Sequence, residues 1–323
     1  MARKLRLQCE GAVYHVISRG NYRAYVFAQD STKAAFLTCL DEAAIKARWR
    51  IHAWCVMSNH FHLCLETPLA NLVEGMRWLQ STFAIRFNRL RDERGHLFQG
   101  RYKGLVVAPE KVGAVCHYIH LNPVRARLTT VEELPRWRWT SMVQLFDPRH
   151  RPSWVSFDAA LTDAGGLVDS PAGRRNYVQY LGWLQEDDEA KKELEFQRMS
   201  TDWAIGTRGF KKELLAAHDR LNERQRSAGS PRDIAEELWG ERLRAYLEAL
   251  RKTPADVAGN QKGAGWKVAL AAAMKRDSTA SNPWLAQHLN MGSPFRLSRL
   301  VSECRRTPTR FSPYVDRIAK CKV

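Results

Sequence analysis

Over the first 125 residues the hydrophobic period switches between two and about three and a half in a fixed order, and few folds accept that order. Ala12-Val13-Tyr14-His15-Val16-Ile17-Ser18 reads as a strand closed by Arg19-Gly20-Asn21. Residues 31–48 place Ala35, Phe36, Leu37, Leu40, Ala43, Ala44 and Ala47 at helical spacing, with Asp30 or Ser31 as N-cap. Two strands follow, Ile51 to Met57 and His60 to Glu66, joined as a hairpin by Ser58-Asn59. Leu69 to Arg91 is a second helix, with Leu72, Met76, Leu79, Phe83 and Phe87 recurring every three or four residues. Gly104 to Val107 is a fourth strand, and Pro109-Glu110 opens a third helix towards Leu121. The order β-α-β-β-α-β-α predicts an α+β domain, a ferredoxin-like split βαβ unit with an antiparallel sheet and one added helix.

After about residue 150 the periods become helical throughout. Helices are predicted over 171–184, 187–199, 209–226 and 231–250, with Gly229-Ser230-Pro231 breaking the last two apart. Three more follow at 264–276, Asn282 to Leu289 and Phe295 to Arg306. Asn282 as N-cap, Pro283 in the first turn and the short Asn290-Met291-Gly292-Ser293 turn before an Arg/Ser-rich helix are the marks of a helix-turn-helix. The expected organisation is an α+β domain over 1–150, an all-α extension over 151–250 and a helix-turn-helix module over 251–323.

Charge narrows the partner. Lys and Arg number 51 against 34 Asp and Glu, a formal charge of +17. Both halves share it: 22 basic against 12 acidic residues up to position 150, and 29 against 22 beyond. A polyanion is the natural partner, and eleven Trp and nine Tyr supply surfaces on which bases stack; a merely basic enzyme is the alternative. Seven cysteines, at 9, 39, 55, 64, 116, 304 and 321, lack paired spacing, which predicts a reduced, cytoplasmic protein. The basic start runs into Cys9-Glu10 rather than an apolar stretch, and no segment approaches the roughly 18 to 20 apolar residues of a membrane span.

Two segments carry candidate chemistry. In Asn59-His60-Phe61-His62-Leu63-Cys64-Leu65-Glu66, strand alternation puts His60 and His62 on one face, about 6 to 7 Å apart, and turns Phe61, Leu63 and Leu65 to the core. Two imidazoles on one face make a ready pair of metal ligands, unless they are ordinary surface histidines. Cys64 and Glu66 continue that face and Cys55 lies across the hairpin, which makes structural zinc conceivable, but there is no Cys-x-x-Cys pair. In Cys116-His117-Tyr118-Ile119-His120-Leu121-Asn122-Pro123-Val124-Arg125-Ala126-Arg127, Tyr118 and Asn122 share a face if the helix persists. Pro123 disfavours helix at Asn122, which puts Asn122 at the helix end or just beyond. A tyrosine on an amphipathic helix is more often a core residue than a catalyst.

Four stretches taken in order carry more than any one alone: Tyr14-His15-Val16-Ile17-Ser18-Arg19-Gly20-Asn21, Met57-Ser58-Asn59-His60-Phe61-His62, Phe98-Gln99-Gly100-Arg101-Tyr102-Lys103 and Tyr118-Ile119-His120-Leu121-Asn122-Pro123-Val124-Arg125-Ala126. With them, roughly residues 5–150 resemble the single-tyrosine HUH transposases, and more closely the REP-associated tyrosine transposases. The resemblance implies a metal-dependent endonuclease and strand transferase acting on single-stranded or hairpin DNA at repeated extragenic palindromes. It implies Tyr118 as nucleophile, a 5′-phosphotyrosine with a free 3′-hydroxyl as products, and His60 and His62 as ligands to Mg2+ or Mn2+. Asn122, whose amide oxygen is a neutral ligand, is the favoured third ligand and Glu66 its rival; the sequence departs here from the related minimal transposases, which tend to place glutamine at that position, and from other HUH enzymes, which use a carboxylate or histidine. His117 and His120 are candidates for proton transfer or phosphate contact, against ordinary partly buried histidines.

The cations Arg19, Arg23, Arg101, Lys103, Arg125 and Arg127 flank these motifs and predict a track for a DNA backbone, with Tyr22, Trp54 or Tyr102 stacking on bases. Arg296 and Arg299, with Ser298, Arg305 and Arg306, lie on the reading helix of the C-terminal module and would meet duplex DNA. A homodimer is implied by the resemblance, while the long C-terminal half suits a monomer. The runner-up function is a non-catalytic DNA-binding regulator retaining the fold, against which intact Tyr118, His60 and His62 argue.

Overall fold

The computed structural model describes residues 8–225 and 231–320; Gly229 and Ser230 of the expected break lie outside the described residues. The chain divides into two compact units, Met1–Asp219 and Arg220–Val323.

The first unit follows the predicted order with β1 (Ala12–Arg19), α1 (Asp30–Ala47), β2 (Arg50–Val56), β3 (His60–Thr67), α2 (Leu72–Arg91), β4 (Lys103–Val107) and α3 (Val112–Arg125). The strands lie in the order β2-β3-β1-β4, each neighbour antiparallel, which is the split βαβ arrangement. The hairpin register sets Cys55 opposite His62 and Val56 opposite Phe61, with a bulge between Ile51 and Ala53 that absorbs His52.

Strand alternation builds two cores, one per sheet face. Tyr14, Val16, Phe61, Leu63 and Leu65 face Phe36 and Leu40 of α1 and Met76, Leu79 and Phe83 of α2. The opposite face, with Cys64, Leu105 and Val107, packs on Val115 and Ile119 of α3. The face that carries His60 and His62 is therefore roofed by a helix.

The remaining elements of this unit are α4 (Met142–Phe146), α5 (Asp158–Asp163), α6 (Pro171–Glu186), α7 (Asp188–Glu193), β5 (Ala204–Ile205) and the part of α8 (Arg208–Gln225) up to Asp219. The change of pattern near residue 150 does not end the unit. Ile51 N–H donates to Trp154 O at 2.7 Å, Ser156 N–H to Ile51 O at 3.0 Å, and the Trp154 indole to Asp41 at 2.8 Å. β5 adds a fifth strand, parallel to β4; at two residues it has no legible period. The helix expected over 187–199 stops at Glu193, Glu195 turns left-handed at φ 57°, and a 3₁₀ turn spans Phe196–Arg198. The break carries Phe196 and Met199 into the core beneath α3.

α3 is fixed from behind. At Gly113 a Cβ would stand 2.1 Å from the Asp163 Cβ, so glycine admits α5 at that distance. Asp163 accepts from His117 Nε2 at 3.0 Å, Tyr177 O–H donates to His117 Nδ1 at 2.9 Å, His120 Nδ1 donates to the Tyr177 oxygen at 2.9 Å, and Ser141 O–H donates to His120 Nε2 at 2.8 Å. Burial lowers both histidines, His120 to about 3, so both are neutral links in this chain. Tyr177→Phe strands two buried imidazole nitrogens. It is expected to lower the unfolding free energy by about 1–3 kcal/mol in urea denaturation; an unchanged midpoint would remove the clamp from the account.

The second unit is all-α: α9 (Pro231–Ala249), α10 (Pro254–Gly259), α11 (Gly265–Asp277), α12 (Asn282–His288), α13 (Pro294–Arg306) and α14 (Ser312–Ala319). Its core joins Trp239, Leu270, Met274, Trp284, Leu285, Leu297, Val301 and Ile318. The cap of α12 is Ser281, accepting from Trp284 N–H, so Asn282 sits one position inside the place expected for it. Between α12 and α13, Asn290 (φ 48°) and Gly292 (φ 84°) make the turn, and the Ser293 side chain caps α13. α13 buries Leu297, Val301 and Cys304 and exposes Arg296, Arg299, Arg305 and Arg306. Among the described residues no helix is long and apolar enough to cross a membrane.

Candidate active site

A cleft of about 600 Å³ opens where the ends of β1, β3 and β4 meet α3. His60, His62, Tyr118 and Asn122 line it, together with Arg19, Arg101, Lys103 and Arg125. Among the described residues its lining has four cations and no carboxylate, so the site is positive without internal compensation. Asn122 reaches it because α3 runs through Asn122 and Pro123 to Arg125 instead of ending before the proline. The helix is buried at every position from Val112 to Leu121, and that packing outweighs the preference against helix before proline.

The hydrogen bonds fix which nitrogen of each histidine is free. His15 Nδ1 lies 2.7 Å from Met199 O, and a carbonyl only accepts, so the His15 proton is on Nδ1. Burial lowers the His15 pKa to about 4. The neutral ring therefore offers its Nε2 lone pair, 2.9 Å from His62 Nδ1, and His62 must donate there. His60 Nδ1 donates to Asn59 Oδ1 at 2.6 Å, and the Asn59 amide donates in turn to Arg23 O at 3.4 Å. Both candidate ligands thus keep a bare Nε2, with ring centroids 4.9 Å apart. Burial, then Arg19, lowers His60 to about 4; burial, then His15, His60, Arg19 and Arg125, holds His62 well below the ordinary value.

These depressions set a pH window for stability. Unfolded imidazoles bind protons near pH 6.5, whereas folded His15 and His60 resist until about 4. The unfolded chain binds more protons in between, so stability is full above about 6.5 and falls as the pH drops towards 4. Urea denaturation at pH 7.5, 5.5 and 4.5 is expected to show that loss, with a shallower slope in His60→Asn; an equal slope in the variant would contradict it.

Tyr118 is only 6% exposed. Its ring meets His62 and His15 edge-on, with centroids at 5.9 and 5.7 Å, and Phe196 at 5.4 Å, while the Arg125 guanidinium covers its face at 4.9 Å. The Asn122 amide nitrogen donates to Tyr118 O at 3.0 Å, leaving its carbonyl oxygen as an acceptor. Two bare imidazole nitrogens and an amide oxygen are donor atoms that a divalent ion accepts, while the four cations of the lining suit a phosphate backbone. Among the described residues no group of three His, Cys, Asp or Glu side chains is placed to hold a metal ion.

Glu66 lies at the far end of β3, 3.4 Å from Arg50 and 3.6 Å from His52, and does not line the cleft. Cys55 is buried with its thiol pushed far up, unlike a thiolate ligand. His117 and His120 face the clamp behind α3, which excludes them from phosphate contact. Trp54 and Tyr102 are core residues at 2% and 7% exposure, while Tyr22 is 92% exposed; only the last is free to stack on a base. Arg23 and Arg127 are exposed outside the cleft lining, in left-handed turns, and Arg296 and Arg299 belong to the second unit.

Residues not anticipated in the site are His15, Asn59 and the turn at 196–200. Ser200 lines the cleft and its carbonyl accepts from Lys103 Nζ at 2.5 Å. For His15 a signal existed: Val13, His15 and Ile17 share a strand face, and Ile17 pairs with His62. For the turn there was none, since it stands about 80 residues beyond Tyr118.

The family model described as "Transposase IS200 like" matches residues 8–122. No curated protein matches the chain. Among solved structures, one described as a REP-associated tyrosine transposase bound to a REP hairpin is similar, at 15% identity over 47% of this chain and 89% of that one, with a TM-score of 0.39. The family match runs from the residues before β1 to Asn122 in the cleft, so the segment that carries the site is similar to the IS200-like transposases.

Proposed function

We propose that the first unit is a metal-dependent, single-tyrosine endonuclease and strand transferase for single-stranded or hairpin DNA. The observation that carries this is the convergence of Tyr118, His60 and His62 with four cations in one cleft. A Mg2+ or Mn2+ ion held by His60, His62 and Asn122 would polarise oxygens of the scissile phosphate. Arg19, Arg101, Lys103 and Arg125 hold the phosphodiester backbone. The Tyr118 oxygen attacks phosphorus and loses its proton; the bond to the 3′-oxygen breaks, and that oxygen leaves as a hydroxyl after gaining a proton. The Arg125 charge stacked on the ring favours the negative charge that develops on the phenol oxygen. The phosphotyrosine keeps the ester energy, so another 3′-hydroxyl reverses the step without ATP.

Incubation of the protein with labelled hairpin DNA from its own genomic flanks and Mn2+ is expected to give a denaturation-resistant protein–DNA adduct, lost with EDTA. Tight binding without an adduct across many hairpins would favour the non-catalytic regulator. The ligand set is tested separately: Asn122→Ala is expected to weaken Mn2+ binding by about tenfold or more in calorimetry, and Glu66→Gln to leave it unchanged. The opposite pattern would transfer the third ligand to Glu66.

The second unit supports a duplex-reading role for α13, because Arg296, Arg299, Arg305 and Arg306 all lie on its exposed side while Leu297, Val301 and Cys304 anchor it. Replacing Arg296 and Arg299 by alanine is expected to weaken duplex binding and to reduce the salt slope by about one for each phosphate that is no longer neutralised. A salt slope equal to that of the wild type would exclude this face.

A further inference from the structure

We propose that His15 is a positioning residue that fixes His62 in the one tautomer able to bind a metal, and that the turn after residue 195 is what fixes His15. The inference rests on the metal-dependent reading above. Each ring nitrogen of His15 is committed: Nδ1 to Met199 O at 2.7 Å and Nε2 to His62 Nδ1 at 2.9 Å. The imidazole is fully buried, and its ring stacks on His62 with centroids 5.2 Å apart and planes at 26°. The direction of the chain is set at its far end, since Met199 O has no proton to give. Reading back from it, His15 donates from Nδ1 and accepts at Nε2, and His62 donates from Nδ1 and keeps Nε2 bare. The opposite tautomer of His62 would set two lone pairs against each other and put a proton where a metal bonds.

The anchor lies outside the family-matched segment, which ends at residue 122. The same turn also sets Phe196 against Tyr118 at 5.4 Å and gives Ser200 O to Lys103 at 2.5 Å. One short turn, unrelated to the motif segments in sequence, therefore touches the candidate nucleophile, a backbone-binding lysine and, through His15, a candidate ligand.

His15→Phe keeps the ring's bulk and removes both nitrogens; His15→Gln restores an acceptor near the position of Nε2. In metal-free protein, long-range proton–nitrogen NMR is expected to show His62 protonated at Nδ1 in the wild type and in His15→Gln, and shifted towards the Nε2–H form in His15→Phe. Mn2+ affinity by calorimetry is expected to fall about 10- to 100-fold in His15→Phe and to return to within a few-fold in His15→Gln. Circular dichroism and the melting temperature identify a variant that has lost its fold, in which case the wild-type tautomer and the glutamine variant decide. An Nε2–H tautomer at His62 in the wild type, or undiminished Mn2+ binding by folded His15→Phe, would overturn the proposal. Wild type binding Mn2+ no better than His62→Ala would instead overturn the metal reading on which it rests.

Discussion

Phenylalanine at position 118 is expected to give a protein that folds, binds hairpin DNA as the wild type does and does not cut it. The substitution removes one oxygen from a side chain that is 6% exposed and keeps its ring contacts with His15, His62, Phe196 and Arg125. Packing and charge at the cleft are thus preserved, while the attacking atom is gone. Loss of the nucleophile is expected to reduce single-turnover cleavage by about 10⁴-fold or to background, with DNA affinity within about threefold. Cleavage within tenfold of wild type would transfer the attack to another hydroxyl. Tyr22 and Tyr25, at 92% and 70% exposure on the neighbouring loop, are the first alternatives to replace.

His62→Ala carries the second large effect. It deletes one of two bare nitrogens facing the cleft and leaves His15 Nε2 without its donor. Mn2+ affinity is expected to fall by about 100-fold or more, and cleavage at fixed Mn2+ by about 10³-fold. The cleft's cations are untouched, so binding of the DNA backbone in EDTA is expected to change little. Cleavage with unchanged metal dependence would remove His62 from the ligand set.

Much of this arrangement is legible in the sequence, for identifiable reasons. Long amphipathic helices and alternating strands carry their own period, so the split βαβ order and the shared face of His60 and His62 follow from the pattern. Asn122 is less secure because Pro123 argues locally for a helix end, and only the burial of α3 along its length overrides that preference. Trp54 and Tyr102 read as stacking surfaces because an aromatic side chain near a basic motif looks the same in sequence whether exposed or buried. His117 and His120 are ambiguous for a similar reason: their partner, Tyr177, lies in a helix about 60 residues away. β5 and the turn at 196–200 leave no trace, the one too short for a period and the other set by contacts with β1 and α3 that no local rule encodes.

The most direct test of the central claim is to trap the wild-type protein with a labelled hairpin and Mn2+, digest it and read the modified peptide by mass spectrometry. The account predicts a phosphodiester-linked nucleotide on Tyr118, attached through its 5′-phosphate, with the other DNA product ending in a free 3′-hydroxyl. A nucleotide on any other residue, or cleaved DNA with a 5′-phosphate and no protein attached, would contradict it.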